Sequence, residues 1–394
     1  MRLRESWSNF SLCNGSAMGE KEQAREARAK EEGRMAQSRM SGSVLLVGSI
    51  PGDNAADVLG SCGPGVGSYV TGLPDGETGY RRMWIHFLAV KIFDGHPALE
   101  TVQRPQPVPG QERWHADDYR EENWLFKVKD GVEDLHFDQL GYATEAQHSY
   151  QDFCRLRAEG VIPAGVRFQV SLPLTESAVR GWLTNAHDYD LMRVAYEEAM
   201  GREIAQLLSA IPADDLVIQW DICVEVLALA LQDQLGAPWQ PPGDPFERYL
   251  QALTSTAQHV PDPTLMGCHL CYGDLGHTHL VEPPDLSLVV RMANAATQAV
   301  SRPIDFFHMP VPQSRDDAAY FEPLTDLEID EAKLYLGLVH LTGGVAGTVR
   351  RIRTAQHAYS SFGVATECGL GRRPRDTLPA LYRIHREAAA ALSA

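Results

Sequence analysis

The residues best suited to chemistry are a run of alternating soft donors, Cys268-His269-Leu270-Cys271. As Cys-x-x-Cys the run resembles a redox or zinc knuckle. It sits, however, in TLMGCHLC (Thr264–Cys271), an apolar stretch that predicts a β-strand. On a strand, side chains alternate between faces, so His269 and Cys271 share one face and Cys268 turns to the other. One imidazole and one thiolate make half of a borderline-soft zinc site. A third donor, Cys368, ends another predicted strand in ATECGLGRR, just before glycines that allow close backbone approach. His269, Cys271 and Cys368 together form a catalytic-type set, three protein ligands with one open position. His308, at the end of IDFFHMP, and Glu367, beside Cys368, are both available as a fourth ligand.

Carboxylates are predicted at the same rim. Glu77 follows a strand in PDGETGYRR, Asp221 ends VIQWD, and Ser49 follows VLLVG. An Asp and a Glu over one mouth suit an ammonium group or proton transfer, so Glu77 and Asp221 are the acid–base candidates. Arg81 and Arg82, and likewise Arg372 and Arg373, could hold an anionic substrate group. The Gly-rich TGGVAGT resembles a phosphate cradle, a weak signal by itself.

Holding these groups at one rim takes a repeating scaffold. From Val44 onward, eight short β-rich runs recur (44–49, 68–74, 166–173, 216–221, 264–271, 304–310, 334–340 and 362–368). Helical patterns separate most of them, and RDTLPALYRIHREAAAALSA closes the chain as a last helix. Eight strand–helix units predict an α/β fold, a (β/α)₈ TIM barrel over residues 43–394, whose chemistry lies at the strand C-termini. Residues 80–165 form a long insertion after the second strand, expected as a lid or substrate wall. The insertion holds a Pro-rich patch, Arg104–Gln111, and a hairpin expected to turn at Asp130-Gly131. Residues 1–42 carry eight basic and six acidic side chains with no apolar face, which predicts a solvated, frayed extension.

Composition narrows the function. With 35 Lys and Arg against 52 Asp and Glu, the net charge is −17, unfavourable for a nucleic-acid partner. The longest apolar stretch, from Leu216, carries Gln219, Asp221 and Glu225 and does not suit a bilayer. Seven cysteines are too sparse for a disulfide scaffold, so a cytoplasmic location is expected.

Several motifs, in order along the chain, resemble the catalytic barrel of cobalamin-independent methionine synthase, in the superfamily that also holds uroporphyrinogen decarboxylase. VGSIP resembles that family's Ile-Gly-Ser-Phe-Pro opening, PDGE its His-Gly-Glu, and VIQWD its strand ending in Asp. HLCY resembles its zinc-binding His-x-Cys-Tyr, and ECGLGRR its final Asp-Cys-Gly-Leu-Lys-Thr-Arg. The resemblance implies Zn²⁺ on His269, Cys271 and Cys368, and a thiol substrate that attacks an alkyl donor as thiolate. It also implies that Ser49, Glu77 and Asp221 hold an amino-acid moiety. His308 stands where the family has a ligating Glu, and His340-Leu341-Thr342 where it has Asp-x-His; the synthase's N-terminal barrel has no counterpart. The expected function is therefore zinc-dependent transfer of an alkyl group, methyl foremost, between a small-molecule donor and a thiol. The alternatives are a zinc-independent decarboxylase or lyase on the related barrel, and a non-catalytic zinc-binding barrel.

Overall fold

The computed structural model describes residues 40–105, 123–274 and 278–392. Its centre is a parallel sheet of seven strands: β1 (Gly72–Pro74), β4 (Arg167–Pro173), β5 (Leu216–Ile222), β6 (Leu265–Leu270), β7 (Phe306–Pro310), β8 (Lys333–Val339) and β9 (Phe362–Thr366), neighbours in that order. Helices alternate with them. The longer ones are α1 (Ala55–Val66), α2 (Tyr142–Ala158), α3 (His187–Ala210), α4 (Val224–Ala230), α5 (Pro245–Ala257), α6 (Ser287–Ala299), α7 (Gly344–Gln356) and α8 (Leu378–Leu392). Parallel strands need such crossovers, and both faces of the sheet are consequently buried. Among the described residues, no helix is long and apolar enough to cross a membrane.

The expected first strand is not regular. Val44 makes single parallel bridges to Val70 on one side and Val364 on the other. The carbonyls of Leu46 and Val47 are instead taken by interior glutamines, Gln169 and Gln219. Buried backbone groups must find partners, and here amide side chains replace a strand ladder. What the structure establishes is thus a seven-stranded parallel α/β sheet with this segment between its first and last strands, rather than eight regular strands.

Alternation along β6 separates two cores. Leu265 joins Met40, Leu45, Val217, Phe306 and Tyr335 in an inner cluster, whereas Cys268 packs in the large cluster shared with the helices. The inner cluster extends into the expected extension: Met40 is buried, and Lys333 Nζ and Tyr335 Oη donate to the Gly42 carbonyl. The rest of that extension, residues 1–39, lies outside the described residues.

Local sequence explains the helices, including two that the strand pattern passes over. Asn54 caps α1 by accepting from Asp57 N at 3.0 Å. Inside α1, Gly63 lies so close to the Val161 carbonyl that a Cβ would stand 2.5 Å from it. Its glycines weaken helical propensity but permit tight packing. In α5, Asp244 caps two amides ahead of Pro245 at the first turn. The helix α2 lies within the insertion. There the expected Asp130-Gly131 hairpin is corrected: β3 (Leu125–Val128) pairs antiparallel with the upstream β2 (Leu99–Gln103). The Pro-rich patch beyond Pro105 lies outside the described residues.

Candidate metal centre

His269 stands on β6 in register with Asp221 on β5 and His308 on β7, so three functional side chains share one row across the sheet. Cys271 follows β6 directly, its N–H donating to the Ile222 carbonyl at 2.9 Å, and Cys368 follows β9. The ligand atoms of His269, Cys271 and Cys368 lie within 4.8 Å of one another. Cys271 Sγ is 3.7 Å from Cys368 Sγ, and Cys368 Sγ is 3.7 Å from His269 Nε2. With Zn–S about 2.3 Å and Zn–N about 2.0–2.1 Å, a tetrahedral zinc has S···S edges of about 3.8 Å and S···N edges of about 3.6 Å. A disulfide would need sulfurs at about 2.05 Å. The donor set therefore fits zinc in identity, and two of its edges fit in spacing.

His308, expected as a fourth ligand, stands outside this cluster and against His269. Both its ring nitrogens face protein: Nδ1 is 2.7 Å from His269 Nδ1, and Nε2 is 3.0 Å from the Thr366 carbonyl. Burial pushes His308 down to about 3, and burial, with His308 beside it, lowers His269 as well. Glu367, the other candidate, is also engaged elsewhere. It meets His340 Nδ1 at 2.6 Å and Arg373 at 3.1 Å. Burial raises its carboxyl, but the His340 contact outweighs this and holds it below the usual range. The Cys268 thiol is fully buried away from the site, pushed up by burial alone.

Across the pocket stand the carboxylates. Glu77 and Asp221 line the same cavity, open at its mouth, as the three metal-type donors. Burial raises Glu77 to about 7. Burial first, then the charge of Glu77, raises Asp221 well above its usual value, against a 2.8 Å hydrogen bond from Gln219. Two buried carboxylates facing one cavity favour a shared proton or a cationic ligand. Glu77 adopts φ +52°, a left-handed conformation that costs about 1 kcal/mol or more for a residue with a side chain. It is held there by Asp75, whose Oδ1 accepts the Glu77 N–H at 2.9 Å.

Ser49 joins the two walls. Its carbonyl accepts from Leu370 N at 2.6 Å and its hydroxyl from Gly371 N at 3.3 Å. A Cβ on Gly369 would stand 2.3 Å from the Ser49 hydroxyl, so the glycines after Cys368 do serve close approach.

The arginines divide. Arg82 and Arg372 line the cavity, whereas Arg81 is buried in a 2.6 Å ion pair with Asp75. Expected at the substrate, Arg81 instead meets Asp75, the acceptor of the Glu77 N–H. Arg372 bridges to Asp274 at 3.1 Å, and Arg373 serves Glu367. The TGGVAGT motif opens α7, with Gly343 and Gly344 at positive φ, and does not line the cavity.

Three lining residues escape the sequence reading: Trp84, Cys223 and Asp274. Cys223 packs against Cys271 in a small apolar cluster. Its position two residues past Asp221 is the one signal that could have placed it at the rim. Trp84 comes from the insertion and had no such signal.

No protein-family model matches the chain, and no curated protein does. Among solved structures, a B12-independent methionine synthase from Shewanella sp. W3-18-1, in complex with selenomethionine, superposes with a TM-score of 0.57. That alignment covers 89% of this chain and 97% of the other at 11% identity. A putative vitamin-B12-independent methionine synthase from Listeria monocytogenes aligns over 66% of this chain and 72% of its own, at 15% identity and a TM-score of 0.41. A methyltransferase from Methanosarcina mazei covers 67% of this chain and 72% of its own, at 14% identity and the same score. At these identities the first likeness establishes a shared fold.

Proposed function

We propose that the protein is a zinc-dependent enzyme that transfers a methyl or similar alkyl group to a thiol. The carrying observation is the His269–Cys271–Cys368 triangle beside the cavity, two of whose edges match those of a tetrahedral zinc site and whose three ligand atoms lie within 4.8 Å of one another. Zinc held there supplies a thiolate at neutral pH, lowering the thiol's pKa while leaving the sulfur nucleophilic. On this reading the segment around Val44 completes an eightfold barrel, and the site lies at its C-terminal rim.

The opposite wall selects the acceptor. Glu77 and Asp221, both held toward their neutral forms, regain full ionisation beside an ammonium group. A thiol carrying an α-ammonium group some atoms away from its sulfur spans the two walls. The first structural neighbour binds selenomethionine, a ligand of that same polarity. Arg82 lines the cavity, where it can meet an anionic substituent, beside the Arg372–Asp274 pair.

The donor differs from one that must be protonated to leave. His340 occupies the position of the family's acid, but both its nitrogens are engaged, by Glu367 and by the Val311 carbonyl at 3.0 Å. A donor whose leaving group departs without a proton, such as an onium methyl, fits this rim better.

The test is metal analysis followed by turnover with thiol amino acids and a panel of methyl donors. About one zinc per chain and thiol loss only with donor and metal together are expected. Full zinc occupancy with no thiol alkylation would leave a non-catalytic zinc protein. Metal-free protein active as a decarboxylase or lyase would replace the reading altogether.

A further inference from the structure

His308 stands where a ligand was expected, is fully buried, and touches no metal-type donor except through His269. Its two contacts fix where the protons sit. The Thr366 carbonyl can only accept, so His308 Nε2 carries a hydrogen. A neutral imidazole has one N–H, which leaves His308 Nδ1 as a bare lone pair. The 2.7 Å contact between the two Nδ1 atoms then requires His269 to donate, so the His269 hydrogen is on Nδ1. That leaves the lone pair of His269 on Nε2, the atom 3.7 Å from Cys368 Sγ.

We infer that His308 is a positioning residue: the chain Thr366 carbonyl–His308–His269 locks the His269 tautomer and ring angle so that Nε2 faces the metal position. Metal-bound histidines usually donate their other N–H to a carboxylate or carbonyl. Here a second imidazole takes that place, so the site gains no negative charge from its support. With two thiolates and a dication, the centre is neutral. Thr366 is itself tied to the site, its hydroxyl donating to the Cys368 carbonyl at 2.7 Å. The relay thus links the β6 donor to the β9 donor through β7.

The inference rests on the zinc reading only for its purpose; the tautomers can be read without metal. Long-range ¹H–¹⁵N spectra of the full-length protein, with and without zinc, are expected to show His308 as the Nε2–H form and His269 as the Nδ1–H form. In the zinc-loaded protein the His269 Nε2 should shift as a ligand nitrogen. His308→Phe keeps the ring but removes the acceptor. It should weaken zinc about 10- to 100-fold by chelator competition. His308→Asn, which offers an acceptor oxygen at the Nδ1 position, should recover most of that loss. The opposite tautomer at either histidine overturns the relay, as does wild-type zinc affinity in a folded His308→Phe protein. Wild-type protein that takes no zinc but shows the expected tautomers would overturn the proposed function and leave the relay standing.

Discussion

The two walls of the cavity are built on different principles. The donor wall rides on strands: His269 is on β6, Cys271 directly follows β6, and Cys368 lies two residues past β9. The carboxylate wall depends in part on a turn, where Glu77 sits at positive φ over the buried Asp75–Arg81 pair. Strand periodicity places the first wall within a few tenths of an ångström of a tetrahedral edge. The second needs charge–charge support, since a lone carboxylate taken out of water is costly. A soft metal asks for fixed geometry, whereas a charged substrate group asks for complementary charge.

The comparison breaks most sharply at Cys368. Cys368→Ser should abolish stoichiometric zinc while the fold survives, because the scaffold that positions the site is packed independently of it. Full zinc occupancy by elemental analysis in that variant would dissolve the donor wall as described.

Next in size is the contrast between adjacent arginines. Arg81→Ala leaves Asp75 buried and unpaired, with an expected loss of about 3–5 kcal/mol by denaturant unfolding. Arg82→Ala should stay within about 0.5 kcal/mol of wild type while raising the KM for an anionic substrate. Equal stability losses would mean that both arginines support the turn.

A smaller effect follows from Glu77, which is raised from 4.5 to about 7 in the fold. The native state holds this proton more tightly, so the contribution is fully present below about pH 4.5 and is lost as pH rises through about 7. Glu77→Gln should remove about 2–3 kcal/mol of that pH dependence, measured as unfolding free energy at pH 5 and pH 8. A parallel pH profile for variant and wild type would show Glu77 to be solvated.

The smallest effect is expected at Cys268→Ser, which should leave zinc content unchanged. Its sulfur belongs to the helix-side core, and a buried hydroxyl there costs about 1–3 kcal/mol of stability only. Metal loss equal to that of Cys368→Ser would mean that the β6 register is wrong.

What could be read from the sequence follows the same division. Alternation alone separated Cys268 from His269 and Cys271, because strand geometry is local and periodic. The side chain of His308 could be placed on its strand but not assigned a partner. Its role depends on the Thr366 carbonyl, 58 positions away. Arg81 and Arg82 are indistinguishable as a dipeptide; only the fold sends one inward. The first strand failed for a similar reason, since Gln169 and Gln219 claim its carbonyls from afar. The insertion was recognised by its length, but Trp84 gave no sign that it reaches the cavity.

The bridge between Val44 and Val364 also sets an order of assembly. The two partners are 320 positions apart, so at a synthesis rate of about 5–20 residues per second the early segment waits roughly 16–64 s for its neighbour. During that interval one flank of the growing sheet has no cover, and an uncovered edge is open to pairing with other chains. Cys368 leaves the ribosome after Val364, so metal can be captured by all three donors only once the last strand of the sheet has been made.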